Sequence, residues 1–207
     1  GKYTVPILFD TKTKTIVNNE SSEIMRMFNG VFAELAGTAD STPDLYPVAL
    51  REAIDAVNEW VYPGINNGVY RCGFAKTQEA YDEAIETLYS ALDRAEEILS
   101  TSRYMVSNTV MTEADFRLFM TLVRFDEVYV VYFKCNKRLI SSYPNIHNFC
   151  REMYQLPCVQ AAHDMDHIKR HYFTSHAHLN AFSVIPAGPD AAKAFMEPHD
   201  RDRFNTK

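Results

Sequence analysis

The stretch that decides the fold reads Val5-Pro6-Ile7-Leu8-Phe9-Asp10 and, after a short polar segment, Ile16-Val17-Asn18-Asn19-Glu20-Ser21-Ser22-Glu23-Ile24. Two runs rich in β-branched and aromatic residues, 3–10 and 15–18, flank the polar residues 11–14, and this order is typical of a β-hairpin. An acid and a serine, which favour helix N-termini, come next. The sequence therefore predicts strand, turn, strand and helix in that order.

The predicted helix spans 20–35. Its apolar residues recur at three- and four-residue steps, so they share one face of the helix. This face consists of Ile24, Met27, Phe28, Val31, Phe32 and Leu35.

The first strand carries bulky side chains on both faces, because Val5, Ile7 and Phe9 alternate with Pro6 and Leu8. A two-stranded hairpin is marginally stable in water. A strand with bulk on both faces is typical of one that has further sheet neighbours. We therefore expect the N-terminal domain to be incomplete in this chain.

The rest of the chain reads as helices. Residues 37–43, rich in Gly, Thr, Ser and Pro, are the best linker candidate. Thr112 and Asp115 have the spacing of a capping box. The predicted fold class is α+β and mostly α, with a hairpin and helix over 1–37 and an all-helical domain over 45–207. The helices are expected over 47–62, 77–99, 112–133, 144–155 and 164–173, with an extended tail from Pro186.

Composition excludes several classes of function. The 207 residues carry a net charge of −6 and no basic run, which argues against nucleic-acid binding. The longest apolar runs are too short for a membrane span. The four cysteines are widely spaced and form no Cys-x-x-Cys motif, so a reduced, cytoplasmic compartment is expected rather than a disulfide framework. They are Cys72, Cys135, Cys150 and Cys158.

Two features of the N-terminal region could bind a ligand. The bond between Val5 and Pro6 could be cis, at a cost of about 0.5–1 kcal/mol, or it could be an ordinary trans bond in an edge strand. Glu20 and Ser21 begin the predicted helix, where free amides favour a carboxylate, a hydroxyl can donate and an acid can bind an ammonium. An ordinary helix N-cap would look the same.

Three histidines, His163, His167 and His171, are spaced by four residues and would share one helix face. Such a face could bind zinc, but there is no glutamate after His167 and no obvious carboxylate ligand, so no metal site is predicted. Cys135 and Cys158 could be reactive thiols. Buried small apolar residues are the ordinary interpretation of both.

Seven runs carry a resemblance to one family over the whole length of the chain. Together they resemble the Xi-class glutathione transferases, the glutathionyl-hydroquinone reductases. The runs are Tyr-Thr-Val-Pro-Ile-Leu at 3–8, Ile-Val-Asn-Asn-Glu-Ser-Ser-Glu-Ile at 16–24, Asn-Asn-Gly-Val-Tyr at 66–70, Thr-Glu-Ala-Asp-Phe-Arg-Leu at 112–118, Val-Arg-Phe-Asp-Glu-Val-Tyr at 123–129, Phe-Lys-Cys-Asn-Lys at 133–137 and His-Ile-Lys-Arg-His-Tyr-Phe at 167–173.

The resemblance implies a thioredoxin-like domain followed by a helical domain, and a homodimer. It implies that glutathione, as co-substrate and without a metal, reduces glutathionyl-hydroquinones to hydroquinones. The family's nucleophile is a cysteine followed by proline at the start of the first helix. None of the four cysteines here precedes a proline, so we expect this chain to be inactive alone.

The resemblance also assigns residues. Val5, Pro6, Glu20 and Ser21 match positions that bind glutathione, with a cis bond before Pro6. Tyr70, Tyr129 and Tyr172 match tyrosines that line the hydroquinone site, although no spacing rule joins them. Core packing is the ordinary interpretation of any single tyrosine among the twelve in the chain.

Two other functions remain open at this point. A non-catalytic protein-interaction module on the same fold would fit a chain that lacks the nucleophile. A conventional detoxifying transferase, which uses a serine or a tyrosine, fits less well.

Overall fold

The structure, a computed structural model, describes residues 4–205. These residues are mostly helical and include one two-stranded hairpin, so the predicted fold class is confirmed. They group into two compact units, one ending at Arg51 and the other beginning at Glu52. The predicted domain ranges, 1–37 and 45–207, stay predictions, and their outermost residues, 1–3 and 206–207, lie outside the described part.

The hairpin pairs β1 (Leu8–Asp10) with β2 (Thr15–Asn18) in antiparallel orientation. A bulge between Leu8 and Phe9 shifts the register, so that Leu8 faces Asn18 while Phe9 faces Ile16. The Asp10 carboxylate accepts hydrogen bonds from the amides of Lys12 and Thr13, at 2.7 and 3.1 Å, and shapes the turn.

The first strand is shorter than predicted. The predicted residue Tyr3 lies outside the described part, and residues 4–7 are not in the β-ladder. The reason is local, because the side chain of Asn19 occupies the carbonyls of Thr4 and Pro6 just beyond the end of β2.

The helix predicted over 20–35 is broken at Gly30 into α1 (Ser21–Asn29) and α2 (Val31–Leu35). Its apolar face is only partly covered. Ile24 is buried, whereas Phe28, Val31 and Leu35 are 60%, 59% and 77% exposed. The stripe that the sequence predicts is therefore real, but much of it faces outward.

The linker after α2 is fixed by side chains of the first unit. The side-chain amide of Asn29 donates to the backbone carbonyl of Pro43 and accepts from the backbone N–H of Leu45, both at 2.7 Å. The Tyr46 ring lies against two guanidinium groups, with Arg26 at 3.7 Å and Arg51 at 5.0 Å from its centroid.

The helices of the second unit lie close to their predicted positions. Thr77 is the N-cap of the longest one, where its hydroxyl accepts a hydrogen bond from the amide of Ala80 at 3.2 Å. The short helices α4, α7 and α9 were not predicted as separate elements. The α-helices are α3 (Arg51–Val61), α4 (Gly68–Gly73), α5 (Gln78–Thr101), α6 (Glu113–Arg124), α7 (Val130–Tyr132), α8 (Pro144–Tyr154), α9 (Pro157–Ala162), α10 (Met165–Ser175) and α11 (Ala191–Phe195).

Two π-helical turns, Tyr62–Asn66 and Phe125–Tyr129, connect α3 to α4 and α6 to α7. The sequence predicts that Pro63 and Gly64 end α3. Instead the chain continues through a wider turn, in which the amide of Asn67 donates to the carbonyl of Tyr62 at 2.8 Å. π-helical turns are rare in proteins overall, and those that occur are often found at functional sites.

The tail from Pro186 contains two short helical segments that were not predicted, whereas residues 186–190 have no regular secondary structure. Asp190 caps α11 by accepting from the amide of Lys193, and a 3₁₀ turn follows at Arg201–Phe204. The Arg201 side chain is fully buried. It donates to the carbonyl of Leu99 at 2.7 Å and to that of Arg103 at 2.6 Å, so it satisfies groups at the C-terminal end of α5.

Within residues 4–205, the structure contains no helix that combines the length and the apolar character needed to cross a bilayer.

The buried carboxylate of Asp115 ties the start of α6 to the preceding loop. It accepts hydrogen bonds from the amide and hydroxyl of Thr112, at 2.8 and 3.0 Å, and from the amide of Met105 at 2.8 Å. Burial raises the pKa of Asp115 to about 6, although these donors act in the opposite direction. The predicted capping box is confirmed and also joins a second segment.

We expect Asp115→Asn to lower the free energy of unfolding by about 2–3 kcal/mol, because an amide group would face buried donors that now have an acceptor. Urea unfolding of the full-length protein measures this difference. Asp82→Asn, at an exposed position on α5, is the matched control and should change stability by less than about 0.5 kcal/mol. Equal unfolding midpoints for the two variants would contradict the assignment.

Candidate functional site

Three tyrosine hydroxyls meet in the second unit. The hydroxyl oxygen of Tyr172 lies 2.7 Å from that of Tyr70 and 2.8 Å from that of Tyr129. These residues, called the tyrosine triad below, are separated by 102 and 43 residues in sequence. The structure therefore brings together the three tyrosines that the resemblance selected, with Tyr172 at the centre.

The unusual helical turns place two of these side chains. Tyr129 is the last residue of the second π-helical turn. Tyr70 lies on α4, which follows the first π-helical turn directly. Since an added residue in a helical turn rotates all later side chains around the axis, these turns set the directions of both tyrosines. Tyr172 lies on the regular helix α10.

Phe133 supports the triad from one side. Its ring stacks on Tyr129, with centroids 5.5 Å apart and planes at 17°, and lies 5.1 Å from the ring of Tyr70. Gly73 makes room for it, because a Cβ atom at that position would lie 2.2 Å from a carbon of the Phe133 ring. No role was predicted for Gly73, because a glycine at the end of a short helix gives no distinctive signal.

Tyr70 and Tyr129 are neutral donors at pH 7. Burial raises the pKa of both hydroxyls, and Tyr129 is only 3% exposed. Three hydroxyls carry three protons, and the two contacts between them use two. One proton is therefore left for a ligand, and Tyr70 is the half-exposed member of the triad.

Arg124 adds a positive charge near this group and lowers the pKa of both Tyr70 and Tyr129 against the effect of burial. Its side chain also donates to the carbonyl of Met120. Arg124 stood in one of the runs that carry the resemblance, but no role was predicted for it. A cation here favours negative charge on a phenol or on a ligand oxygen.

In the first unit, Glu20 is the N-cap of α1. Its carboxylate accepts from the amide and the hydroxyl of Ser22, at 3.2 and 3.1 Å, and from the hydroxyl of Ser21 at 3.4 Å. Its own amide donates to the side chain of Asn18 at 2.6 Å. The predicted acid and hydroxyl pair therefore lies at a helix N-terminus, and the ordinary N-cap geometry is present as well.

The bond between Val5 and Pro6 is cis, as the resemblance predicts. Asn19 holds the backbone on both sides of Val5, because its amide group donates to the carbonyl of Thr4 at 3.0 Å and to that of Pro6 at 2.6 Å. Val5 itself is 89% exposed. No role was predicted for Asn19, although it stands next to Glu20.

The cysteines separate into three buried thiols and one exposed thiol, Cys158. Burial raises the pKa of Cys150 well above its usual range. A hydrogen bond between Cys72 and Cys135 lowers the pKa of the first thiol and raises that of the second. Burial inside the helical unit makes Cys72, Cys135 and Cys150 unsuitable as nucleophiles for an external substrate.

The three histidines do not share a helix face, contrary to the prediction. Asp164 begins a new helix by accepting from the amide of His167 at 2.9 Å, so His163 lies outside α10. Among residues 4–205 the structure contains no group of three or more His, Cys, Asp or Glu side chains that could hold a metal ion.

Comparison with known proteins gives consistent relatives. A family model described as "Glutathione S-transferase, C-terminal domain" matches residues 78–152. The glutathionyl-hydroquinone reductase YqjG of Escherichia coli K12 is 50% identical over 202 residues, which cover 98% of this chain and 60% of the relative. The glutathionyl-hydroquinone reductase PcpF of Sphingobium chlorophenolicum is 44% identical over 189 residues, covering 91% of this chain and 59% of the relative.

Solved structures agree with these relatives. The glutathione-bound structure of E. coli YqjG matches with a TM-score of 0.88 and 48% identity, covering 98% of this chain and 64% of that chain. Glutathione transferase Xi 1 of Trametes versicolor matches with a TM-score of 0.87 and 49% identity, covering 93% and 66%. The chain thus spans about 60% of the length of the curated relatives that it matches.

We expect Gly73→Ala to lower the free energy of unfolding by about 1–3 kcal/mol, because the added methyl group collides with a buried ring. It should also displace Phe133 and disturb the near-ultraviolet circular dichroism of the tyrosines. Gly68→Ala, on the same helix, is the control, since a Cβ atom there meets its nearest neighbour at an ordinary 3.4 Å. Similar stability and spectra for both variants would refute this role for Gly73.

Proposed function

The chain belongs to the Xi-class glutathione transferases by sequence and fold, and on that premise we propose that its protein reduces glutathionyl-hydroquinones to hydroquinones with glutathione. One molecule of glutathionyl-hydroquinone and one of glutathione give one hydroquinone and one oxidised glutathione. The observation that carries this proposal is the tyrosine triad, whose convergence was expected from the resemblance alone and not from any spacing.

The triad suits the chemistry of the leaving group. A cysteine thiolate attacks the sulfur that joins glutathione to the ring, the sulfur–carbon bond breaks, and a mixed disulfide with glutathione forms. Before the cleavage, the ring carbon that carries the sulfur takes up a proton and the neighbouring ring hydroxyl gives one up. The electron pair of the broken bond then restores the aromatic ring and leaves a negative charge on that ring oxygen, which takes up a proton as the hydroquinone leaves. Neutral phenols aimed at a ring oxygen stabilise the negative charge that develops there, and Arg124 assists electrostatically.

The first unit supplies groups that suit glutathione. The backbone of Val5, fixed by Asn19, can pair with the cysteinyl residue of the tripeptide as an added strand would. The Glu20 carboxylate can bind the ammonium of the γ-glutamyl residue, while Ser21 and the amides that begin α1 can donate to its carboxylate. A second glutathione then attacks the mixed disulfide and releases oxidised glutathione.

We also propose that the protein acts in the cytoplasm as a homodimer. The four unpaired thiols support a reducing compartment. The dimer is supported by the resemblance, and light scattering of the full-length protein tests it.

We expect Tyr129→Phe in the full-length protein to lower kcat/KM for a glutathionyl-hydroquinone by about tenfold to a hundredfold, because it removes one hydroxyl from the donor chain. Steady-state kinetics and thermal unfolding should be measured together. Tyr143→Phe is the control, since it also removes a buried hydroxyl, one that donates to Asp93 at 2.9 Å. Unchanged kinetics for Tyr129→Phe would count against the role of the triad.

We further expect that the nucleophile is none of the four cysteines described above. The full-length protein should keep its activity, within about twofold, when exposed Cys158 is replaced by alanine, and the 207-residue chain alone should show no turnover. Turnover by a verified 207-residue preparation that is lost on changing one of its own cysteines would overturn this assignment. Binding of glutathione without turnover by the full-length protein would favour a non-catalytic module.

A further inference from the structure

A partly exposed group of rings continues the tyrosine triad outward. It consists of Phe74, His176 and His178, called the histidine rim below. Phe74 is 40% exposed, His176 is half-buried and His178 is exposed. None of these residues was selected by the sequence analysis or by the resemblance.

Phe74 of the histidine rim lies directly against Tyr70 of the triad. Phe74 stacks nearly parallel on Tyr70, with centroids 6.3 Å apart and planes at 13°. On Phe74, the His178 ring stacks at 5.9 Å and 30°, and the His176 ring stands edge-on at 5.6 Å and 80°. Phe74 therefore connects Tyr70 to two imidazoles, which lie within reach of a short arm on a ring bound at Tyr70.

The two rim imidazoles differ in how firmly they are held. The Nδ1 atom of His176 lies 3.2 Å from the hydroxyl of Tyr132, whose ring in turn stands edge-on to Tyr172 at 6.4 Å. The ring of His176 also has a hydrogen bond with the backbone of Tyr172. The exposed imidazole of His178 is therefore the first that a ligand meets.

A neutral imidazole can donate a hydrogen bond to an anion without carrying a charge of its own. Burial lowers the pKa of His176 and favours its neutral form. Arg124 adds a positive charge that acts on the adjacent Tyr70 and Tyr129. An anion bound beside an imidazole favours the protonated ring, whose N–H groups donate stronger hydrogen bonds to it.

We propose that the histidine rim is a specificity subsite that binds a carboxylate carried on a short arm of the substrate's aromatic ring. The ring lies against Tyr70 and Phe74, its oxygens face the triad, and the carboxylate accepts hydrogen bonds from His178 and His176. This inference rests on the proposed function, because it assumes that a hydroquinone ring binds at the triad. It names the substrate class as hydroquinones that carry a carboxylate.

Two substrates that differ only in charge test the subsite. They are the glutathionyl adduct of 2,5-dihydroxyphenylacetate and the glutathionyl adduct of its methyl ester. We expect the full-length protein to prefer the acid. His178→Ala should lower kcat/KM for the acid by about tenfold, as expected for a lost hydrogen bond to a charged group, and change the ester by less than twofold. His178→Gln, which restores a donor, should recover part of the loss.

The control variant is His167→Ala, at an exposed histidine on the same helix as Tyr172, which should leave both substrates unchanged. Phe74→Leu removes the shared aromatic face and should weaken both substrates alike. Equal losses on the acid and the ester in His178→Ala, or no loss on either, would overturn the subsite while the proposed function stands. Turnover of neither adduct by the wild-type protein would overturn both.

Discussion

The hydroxyl of Tyr172 is the contact on which the rest of the site depends. It joins Tyr70 and Tyr129 at 2.7 and 2.8 Å, and so links α4, the end of the second π-helical turn and α10 into one donor chain. Burial keeps Tyr70 and Tyr129 protonated. A chain of hydroxyl donors with one proton left over suits a reaction in which negative charge develops on a ring oxygen. The proposed leaving-group chemistry depends on this one hydroxyl proton that is left for the ring oxygen.

The surroundings of the triad are built to hold its geometry. Gly73 leaves the space that the Phe133 ring fills, and Phe133 in turn supports Tyr129. Outside the triad, the rings of Phe74 and the two rim histidines continue the same aromatic wall toward solvent. In the first unit, Asn19 has a comparable positioning role, because its two hydrogen bonds fix the backbone on either side of Val5.

Local signals in the sequence predicted local structure well. Thr77 is the N-cap of α5, and Thr112 with Asp115 forms the capping box at α6. Both caps can be predicted because a cap involves only residues within three positions of one another. The helical end of the tail was not predicted, since its order depends on one arginine, Arg201, that reaches the carbonyls at the end of α5. The π-helical turn at Pro63 was missed for a related reason. A proline predicts the end of an α-helix, but the side chain of Asn66 in the wider turn donates to the carbonyl of Arg117 and the hydroxyl of Thr121 on α6, at 2.8 and 2.7 Å.

In the candidate site, too, local features could be predicted from the sequence and long-range contacts could not. The acid and hydroxyl at Glu20 and Ser21 were visible as a helix start, whereas the meeting of three tyrosines was not, because the chain separates them by 102 and 43 residues. Only the resemblance selected them. Arg124 and Asn19 act on groups that lie elsewhere in the sequence, and Gly73 acts through the absence of a side chain. No sequence pattern predicts such roles.

The most direct measurement is a crystal structure of the full-length protein with the product hydroquinone bound. We expect one ring oxygen within hydrogen-bond distance of a triad hydroxyl, and the ring plane against Tyr70 and Phe74. A hydroquinone bound away from Tyr70, Tyr129 and Tyr172, with their hydroxyls still closed on one another, would contradict this expectation.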